Sequence, residues 1–79
     1  MKKDKIIAII SRHLNEDVAI GTKLHQETYM DSMDYAELSI AIETHFHFEA
    51  RWSEWDALFA DPELTVADIV RFVESKTNE

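Results

Sequence analysis

The chain contains a single glycine and a single proline among its 79 residues. Tight turns between strands depend on these residue types, so their scarcity argues against a turn-rich β architecture. Apolar residues instead recur at spacings of three and four, which is the period of an amphipathic helix. The sequence therefore predicts an all-α fold, and residues 1–79 are few enough to form a single domain.

The N-terminal half predicts one helix followed by a long loop. The first helix runs from about Lys3 to Leu14, and its apolar face comprises Ile6, Ile9, Ile10 and either His13 or Leu14. Residues 18–30 show no helical period and include Gly21, so we expect a loop there. The residues expected to turn inward and hold the loop are Val18, Ile20 and Leu24.

The second predicted helix begins at Asp31-Ser32 and ends near Phe46. Asp31 is a favourable N-cap, and Asp34 places a negative charge in the first turn, where the helix dipole stabilises it. The predicted buried stripe consists of Tyr35, Leu38, Ile42 and Phe46.

Two further helices are predicted towards the C-terminus. A shorter third helix begins near Ser53, where Ser53-Glu54-Trp55-Asp56 has the spacing of a capping box, and ends near Asp61-Pro62. Thr65-Val66-Ala67-Asp68 has the same spacing and opens the last helix, whose core residues are expected to be Val66, Ile69, Val70 and Val73. The bundle thus has three principal helices and a shorter one.

The overall charge restricts the classes of partner. Sixteen acidic and eight basic residues give a formal net charge of −8, which disfavours nucleic acid and anionic membranes and favours basic protein surfaces. The chain has no cysteine, so disulfides and thiolate metal sites are excluded. We expect no membrane span, no secretory signal and a cytoplasmic location.

Ser32 is the candidate site of chemistry. A serine between a long loop and the start of a helix is reachable by the active site of another protein. The helix N-terminus would favour a phosphodiester placed on it. The sequence implies no base that would activate Ser32, so we expect a substrate for modification, and no catalytic residue is predicted.

A candidate docking face lies on the same helix and comprises Met33, Asp34, Glu37, Ile40 and Glu43. No Lys or Arg occurs between Lys23 and Arg51, so pairing within the helix does not explain these acids. Like charges on adjacent turns repel, so folding does not favour them either. Acidic residues beside exposed apolar ones are typical of a protein-binding surface.

Asp31-Ser32-Met33, followed by an acidic amphipathic helix that ends in Phe46, resembles the signature of acyl carrier proteins, also called phosphopantetheine-binding carrier proteins. The resemblance covers most of the chain. It includes the amphipathic first helix, Leu24 eight residues before the serine, and Thr65-Val66-Ala67-Asp68-Ile69 at the start of the last helix.

The resemblance implies a non-catalytic carrier with the acyl-carrier-protein-like bundle. Ser32 would receive 4′-phosphopantetheine from coenzyme A through a magnesium-dependent phosphopantetheinyl transferase, with Asp31 as part of the modification motif. The terminal thiol would carry acyl groups as thioesters for fatty-acid or polyketide biosynthesis. The docking face would meet acyl-transferring, condensing or ligase enzymes with basic surfaces, and the carrier would act as a monomer.

The chain departs from the family pattern at three places. Glu27-Thr28-Tyr29 stands where Asp-Leu-Gly is common, so Tyr29 replaces a glycine that eases the turn. Thr44 and His45 occupy positions that are often acidic. The region from Arg51 to Pro62 is longer and more aromatic than usual. Together these differences favour a specialised carrier over the housekeeping one.

Other functions remain open on the sequence alone. An aminoacyl or peptidyl carrier, loaded by an adenylating ligase, shares the Asp-Ser-Met core, and Met30 resembles the apolar residue of that group. An unmodified acidic helical adaptor would leave Ser32 bare. A small hydrolase using Ser32 is disfavoured because the chain has no Gly-x-Ser-x-Gly motif and little volume for a triad.

Two smaller features have ordinary structural interpretations. His45 and His47, spaced i, i+2 at a helix end, do not share one face, and no metal site is predicted. Core packing is the favoured interpretation of the aromatic and aliphatic patch formed by Trp52, Trp55, Leu58 and Phe59. The alternative is that part of this patch lines a cleft for an acyl chain.

Overall fold

A computed structural model describes residues 2–77. Within that range the protein is helical and contains no β-strand, which confirms the all-α prediction. The helices are α1 (Lys2–Leu14), α2 (Leu24–Glu27), α3 (Ser32–Phe46), α4 (Trp52–Phe59) and α5 (Val66–Thr77). No helix in the described range has the length and continuous apolar character that crossing a bilayer requires.

The apolar faces of the long helices meet in one core. Helix α1 packs against α3 and α5, and the side chains of Ile6 and Ile10 are completely buried between them. The predicted stripe of α3 is buried except for Phe46, which is half-buried, and the predicted core face of α5 is buried throughout. The three- and four-residue spacing therefore identified the buried sides of these helices correctly.

The predicted loop contains a short helix that the sequence did not predict. Helix α2 is a single turn, and its first residue, Leu24, is completely buried. The Leu24 backbone N–H donates to the Leu64 carbonyl at 2.9 Å, and the Val66 N–H donates to the Thr22 carbonyl at 3.2 Å. The segment is thus held against the α4–α5 connection by backbone hydrogen bonds. Ile20 was expected to turn inward, but that prediction was wrong, because its side chain is 39% exposed.

Helix α3 begins and ends where the sequence predicted. It ends at Phe46 because His47 adopts a left-handed conformation, with φ of 56°, and donates its N–H to the Glu43 carbonyl. Tyr29, in contrast, does not have a positive φ; within residues 2–77 only Asn15 and His47 do. The turn before Ser32 therefore does not need the conformational freedom of glycine.

The predicted cap of α4 was wrong, and that of α5 was correct. Helix α4 begins at Trp52, one residue before Ser53, because Glu54 reaches back to the Arg51 N–H at 2.9 Å and also pairs with Lys76 of α5. At α5 the Thr65 N–H donates to the Asp68 carboxylate at 2.9 Å, and Asp68 N–H donates to the Thr65 hydroxyl at 3.3 Å. Helix α4 also ends earlier than predicted, at Phe59.

Candidate functional site

Ser32 is the first residue of α3 and is exposed. Its position is fixed by a reciprocal cap around it. Asp34 N–H donates to the Asp31 carboxylate at 2.9 Å, and Asp31 N–H donates to the Asp34 carboxylate at 3.0 Å. No group in residues 2–77 forms a hydrogen bond with the Ser32 hydroxyl. The serine hydroxyl is therefore exposed to solvent at a capped helix start, and it forms none of the hydrogen bonds that support the fold.

Four members of the docking face lie together on the outward side of α3. Met33 and Ile40 are 68% and 62% exposed, which confirms that these apolar side chains lie outside the core. The Glu37 side chain is 61% exposed, and Asp34 is half-buried beside it. Spacings of three and four residues bring them to one side of the helix, immediately after Ser32.

Glu43 is separated from this group by its hydrogen bonds. Its Oε2 atom accepts from the Trp55 indole N–H at 2.8 Å and from the Ala50 backbone N–H at 3.0 Å. The carboxylate thus connects α3 to α4 and to the loop between them. The structure gives Glu43 a structural role that its position in the acidic sequence did not indicate, and its part in partner binding stays a prediction.

A cleft of about 330 Å³, which we call the Ser32 cleft, opens beside the serine between α2, α3 and α4. Tyr35 and Phe59 form its apolar floor, with ring centroids 4.8 Å apart. Asp31, Asp56, the exposed Trp52 and His25 lie around it. Sequence reasoning did not identify Asp56 or His25 as neighbours of Ser32, because they lie on other helices.

His25 links three helices at the wall of the cleft. Its Nε2 atom lies 2.6 Å from the Phe59 carbonyl oxygen, and its Nδ1 atom lies 3.1 Å from the Tyr35 hydroxyl oxygen. The carbonyl can only accept, so Nε2 carries a proton. Because both ring nitrogens are engaged, neither is directed at Ser32 as a base.

Burial, and secondly the Asp34 carboxylate, raise the pKa of the Tyr35 hydroxyl to about 12. A tyrosine in the unfolded chain titrates near pH 10, so the stability that neutral Tyr35 contributes is complete below about pH 10. It is lost as the pH rises from about 10 to 12.

We therefore expect the free energy of unfolding to fall less steeply over this pH interval in Tyr35→Phe than in the wild type. Below pH 10 the free energy of unfolding of the variant should be lower than that of the wild type, because the variant lacks the hydroxyl that forms a hydrogen bond with His25. Urea denaturation at pH 8, 10 and 11 measures the free energy of unfolding of both proteins. Parallel pH profiles would contradict the raised pKa of Tyr35 as the cause of the loss of stability.

Three possible metal ligands converge between α1 and α3. His13 Nε2 lies 3.9 Å from Asp34 Oδ1 and 4.0 Å from Glu37 Oε1, and the three donor atoms lie within 4.8 Å of one another. The sequence analysis predicted no metal site and did not place His13 near these two carboxylates. The same distances describe a network of ion pairs when His13 is protonated, and all three side chains are accessible to solvent.

The aromatic patch separates into a buried and an exposed part. Trp55 is 1% exposed and stacks on Phe59 with ring centroids 5.3 Å apart, so core packing is confirmed for these two residues. Trp52 is 52% exposed at the Ser32 cleft and meets Phe59 edge to face. Only Trp52 of the two tryptophans is accessible to a ligand in the cleft.

No protein-family model matches the chain, and a search of curated proteins finds no significant match.

Proposed function

We propose that the protein is an acyl carrier, which holds acyl groups as thioesters on a 4′-phosphopantetheine arm attached to Ser32. The observation that carries this proposal is the presentation of Ser32: it is an exposed serine at a capped helix start, and its hydroxyl has no hydrogen-bond partner in residues 2–77. The Asp31-Ser32-Met33 motif supports the same assignment through its resemblance to carrier proteins.

Ser32 is a substrate for modification in this proposal. The imidazole of His25, which lines the same cleft, is engaged by Tyr35 and Phe59, so it does not activate the serine as a nucleophile. The attached phosphodiester would sit at the N-terminus of α3, where backbone N–H groups and the helix dipole stabilise an anion. A transferase would supply the base and the magnesium ion, and the carrier would supply an accessible hydroxyl.

Partner enzymes would dock on the exposed part of the docking face. Met33 and Ile40 would supply the apolar contact, while Asp34 and Glu37 would attract basic residues of the partner and orient the encounter. The net charge of −8 favours the same class of partner. In this proposal the protein acts as a cytoplasmic monomer, and the arm presents its acyl group to each docked enzyme at high effective concentration.

The experiment that tests this function is incubation with coenzyme A, magnesium and a broad-specificity phosphopantetheinyl transferase, followed by intact-protein mass spectrometry. The wild type is expected to gain a single phosphopantetheine. Glu37→Lys is expected to react several-fold more slowly at low salt, because it reverses an exposed charge on the docking face. The difference should shrink as salt screens the charges.

Glu49→Lys is the matched control, because it makes the same charge change at an exposed residue beyond the end of α3. Its rate is expected to stay near that of the wild type. If several unrelated transferases produce no mass gain, the carrier function is overturned and an unmodified adaptor is favoured. Equal slowing by both substitutions would instead contradict the location of the docking face.

A further inference from the structure

The Ser32 cleft begins at the proposed attachment site itself, because Ser32 is one of the residues that line it. Its floor consists of the buried rings of Tyr35 and Phe59. Trp52, the first residue of α4, lies beside this floor and meets Phe59 edge to face, with ring centroids 6.4 Å apart. A group attached to Ser32 therefore has an apolar, concave surface within reach.

The fold leaves much of Trp52 uncovered. It is 52% exposed, whereas Trp55, three residues later on the same helix, is 1% exposed. The Trp55 indole N–H is bonded to Glu43, but the Trp52 indole N–H forms no hydrogen bond with residues 2–77. Trp52 thus offers a ligand in the cleft both an apolar ring face and a free hydrogen-bond donor.

The floor of the cleft is closed towards the core. Trp55 stacks on Phe59 with ring centroids 5.3 Å apart, so a second ring lies against the floor. The Tyr35 hydroxyl is bonded to His25, which is also bonded to the Phe59 carbonyl. Moving Tyr35 aside would break this hydrogen bond in a partly buried place, which is costly. A group in the cleft therefore lies on the floor and does not pass through it.

The first half of a phosphopantetheine arm matches these surfaces chemically. One methylene beyond the phosphodiester, the arm has a carbon with two methyl groups, followed by a hydroxyl and an amide. The methyl groups are apolar, as are the ring faces of Trp52 and Phe59. The amide carbonyl can accept from the Trp52 indole N–H. The amide N–H can donate to Asp56, which lines the cleft and whose carboxylate accepts no hydrogen bond within residues 2–77.

We propose that the Ser32 cleft is the resting site of the phosphopantetheine arm, and that Trp52 holds the dimethyl group of the arm there. This inference rests on the proposed carrier function and adds to it a binding site for the arm. Because the arm is tethered to a residue of the cleft, its effective concentration there is on the order of millimolar. A contact with a dissociation constant of that size is occupied about half of the time. Holding the first half of the arm restricts the volume that its thiol end explores before an enzyme docks.

The test compares the protein before and after attachment of the arm by nuclear magnetic resonance, with free phosphopantetheine as the reference. Protons over an aromatic ring resonate upfield, so the two methyl groups of the attached arm are expected to move upfield from their positions in the free compound. They should also show nuclear Overhauser contacts to the Trp52 ring. The Trp52 indole N–H resonance should shift on attachment, while that of Trp55 stays fixed.

Trp52→Ala is expected to return the methyl resonances to their positions in free phosphopantetheine. Tyr29→Ala is the matched control, because it removes a fully exposed aromatic ring that is close to Ser32 in the sequence but does not line the cleft. The control should keep the methyl resonances of the wild type. The Trp55 indole resonance, unchanged in both variants, shows that the fold is intact.

The outcomes separate the arm site from the carrier function. If no phosphopantetheine is attached, the carrier function is overturned and the arm site with it. If the arm is attached but its methyl groups resonate as in the free compound and show no contact with Trp52, the arm site alone is overturned. Upfield methyl resonances that survive Trp52→Ala, or that are lost equally in Tyr29→Ala, would overturn the assignment to Trp52.

Discussion

Ser32→Ala is expected to abolish attachment of phosphopantetheine completely, because the substitution removes the only atom to which we assign the arm. The fold should be unchanged. Ser32 is exposed and its hydroxyl forms no hydrogen bond with residues 2–77, while the cap of α3 depends on Asp31 and Asp34. Intact mass after transferase treatment measures the first effect, and circular dichroism measures the second.

Ser53→Ala is the matched control for this substitution. Ser53 is also an exposed serine in the first turn of a helix, but it lies in α4 and has no carrier motif around it. The control should gain the arm at the wild-type rate. A mass gain in Ser32→Ala, or its loss in Ser53→Ala, would show that the attachment site has been assigned to the wrong serine.

Glu43→Ala is expected to lower the free energy of unfolding by about 2–4 kcal/mol. The substitution removes the acceptor of the buried Trp55 indole N–H and of the Ala50 backbone N–H, and an unsatisfied buried donor is costly. For a domain of this size the melting temperature should fall by about 10–25 °C. Urea denaturation and thermal unfolding measure the two quantities.

Glu43→Gln separates the structural role of this residue from a docking role. Its amide oxygen retains an acceptor for Trp55, so most of the stability should be kept, while the negative charge is lost. If Glu43 acts only in the fold, Glu43→Gln should be modified by the transferase at close to the wild-type rate. A Glu43→Ala protein as stable as the wild type would contradict the structural role. Slow modification of the Glu43→Gln protein would show that Glu43 also takes part in partner binding.

The position of the long helices could be predicted because burial follows a local pattern. Ile6 and Ile10 in α1, and Leu38 and Ile42 in α3, recur at helical spacing and are all completely buried. The cap at Asp31 could also be predicted, since capping joins residues that are close in the sequence.

Features that depend on contacts between distant residues could not be predicted in the same way. Helix α2 has only four residues. Its position is determined by backbone hydrogen bonds between its segment and the connection before α5. His25 meets the Phe59 carbonyl 34 residues away, which no spacing in the sequence indicates. Glu43 was grouped with the exposed acids of α3, yet its partner Trp55 lies on α4.

The candidate site contains features that could be predicted from local sequence and features that depend on contacts between distant residues. Ser32, Met33 and Ile40 could be placed on an exposed surface from the sequence, because one helix carries all three and the periodic pattern defines its buried side. The Ser32 cleft could not, because Trp52 and Asp56 reach it from α4. The attachment site depends on the first group of residues, whereas the cleft beside it depends on the second.

The absence of cysteine from the chain permits a direct test of the carrier function. Before modification the protein has no thiol, so any thiol that appears must belong to an attached arm. The measurement is titration of free thiol with a chromogenic disulfide under denaturing conditions, before and after treatment with coenzyme A and a phosphopantetheinyl transferase, once free coenzyme A has been removed. We predict that the thiol content rises from zero to a single equivalent per chain in the wild type and stays at zero in Ser32→Ala; a wild-type protein that stays at zero would contradict the account.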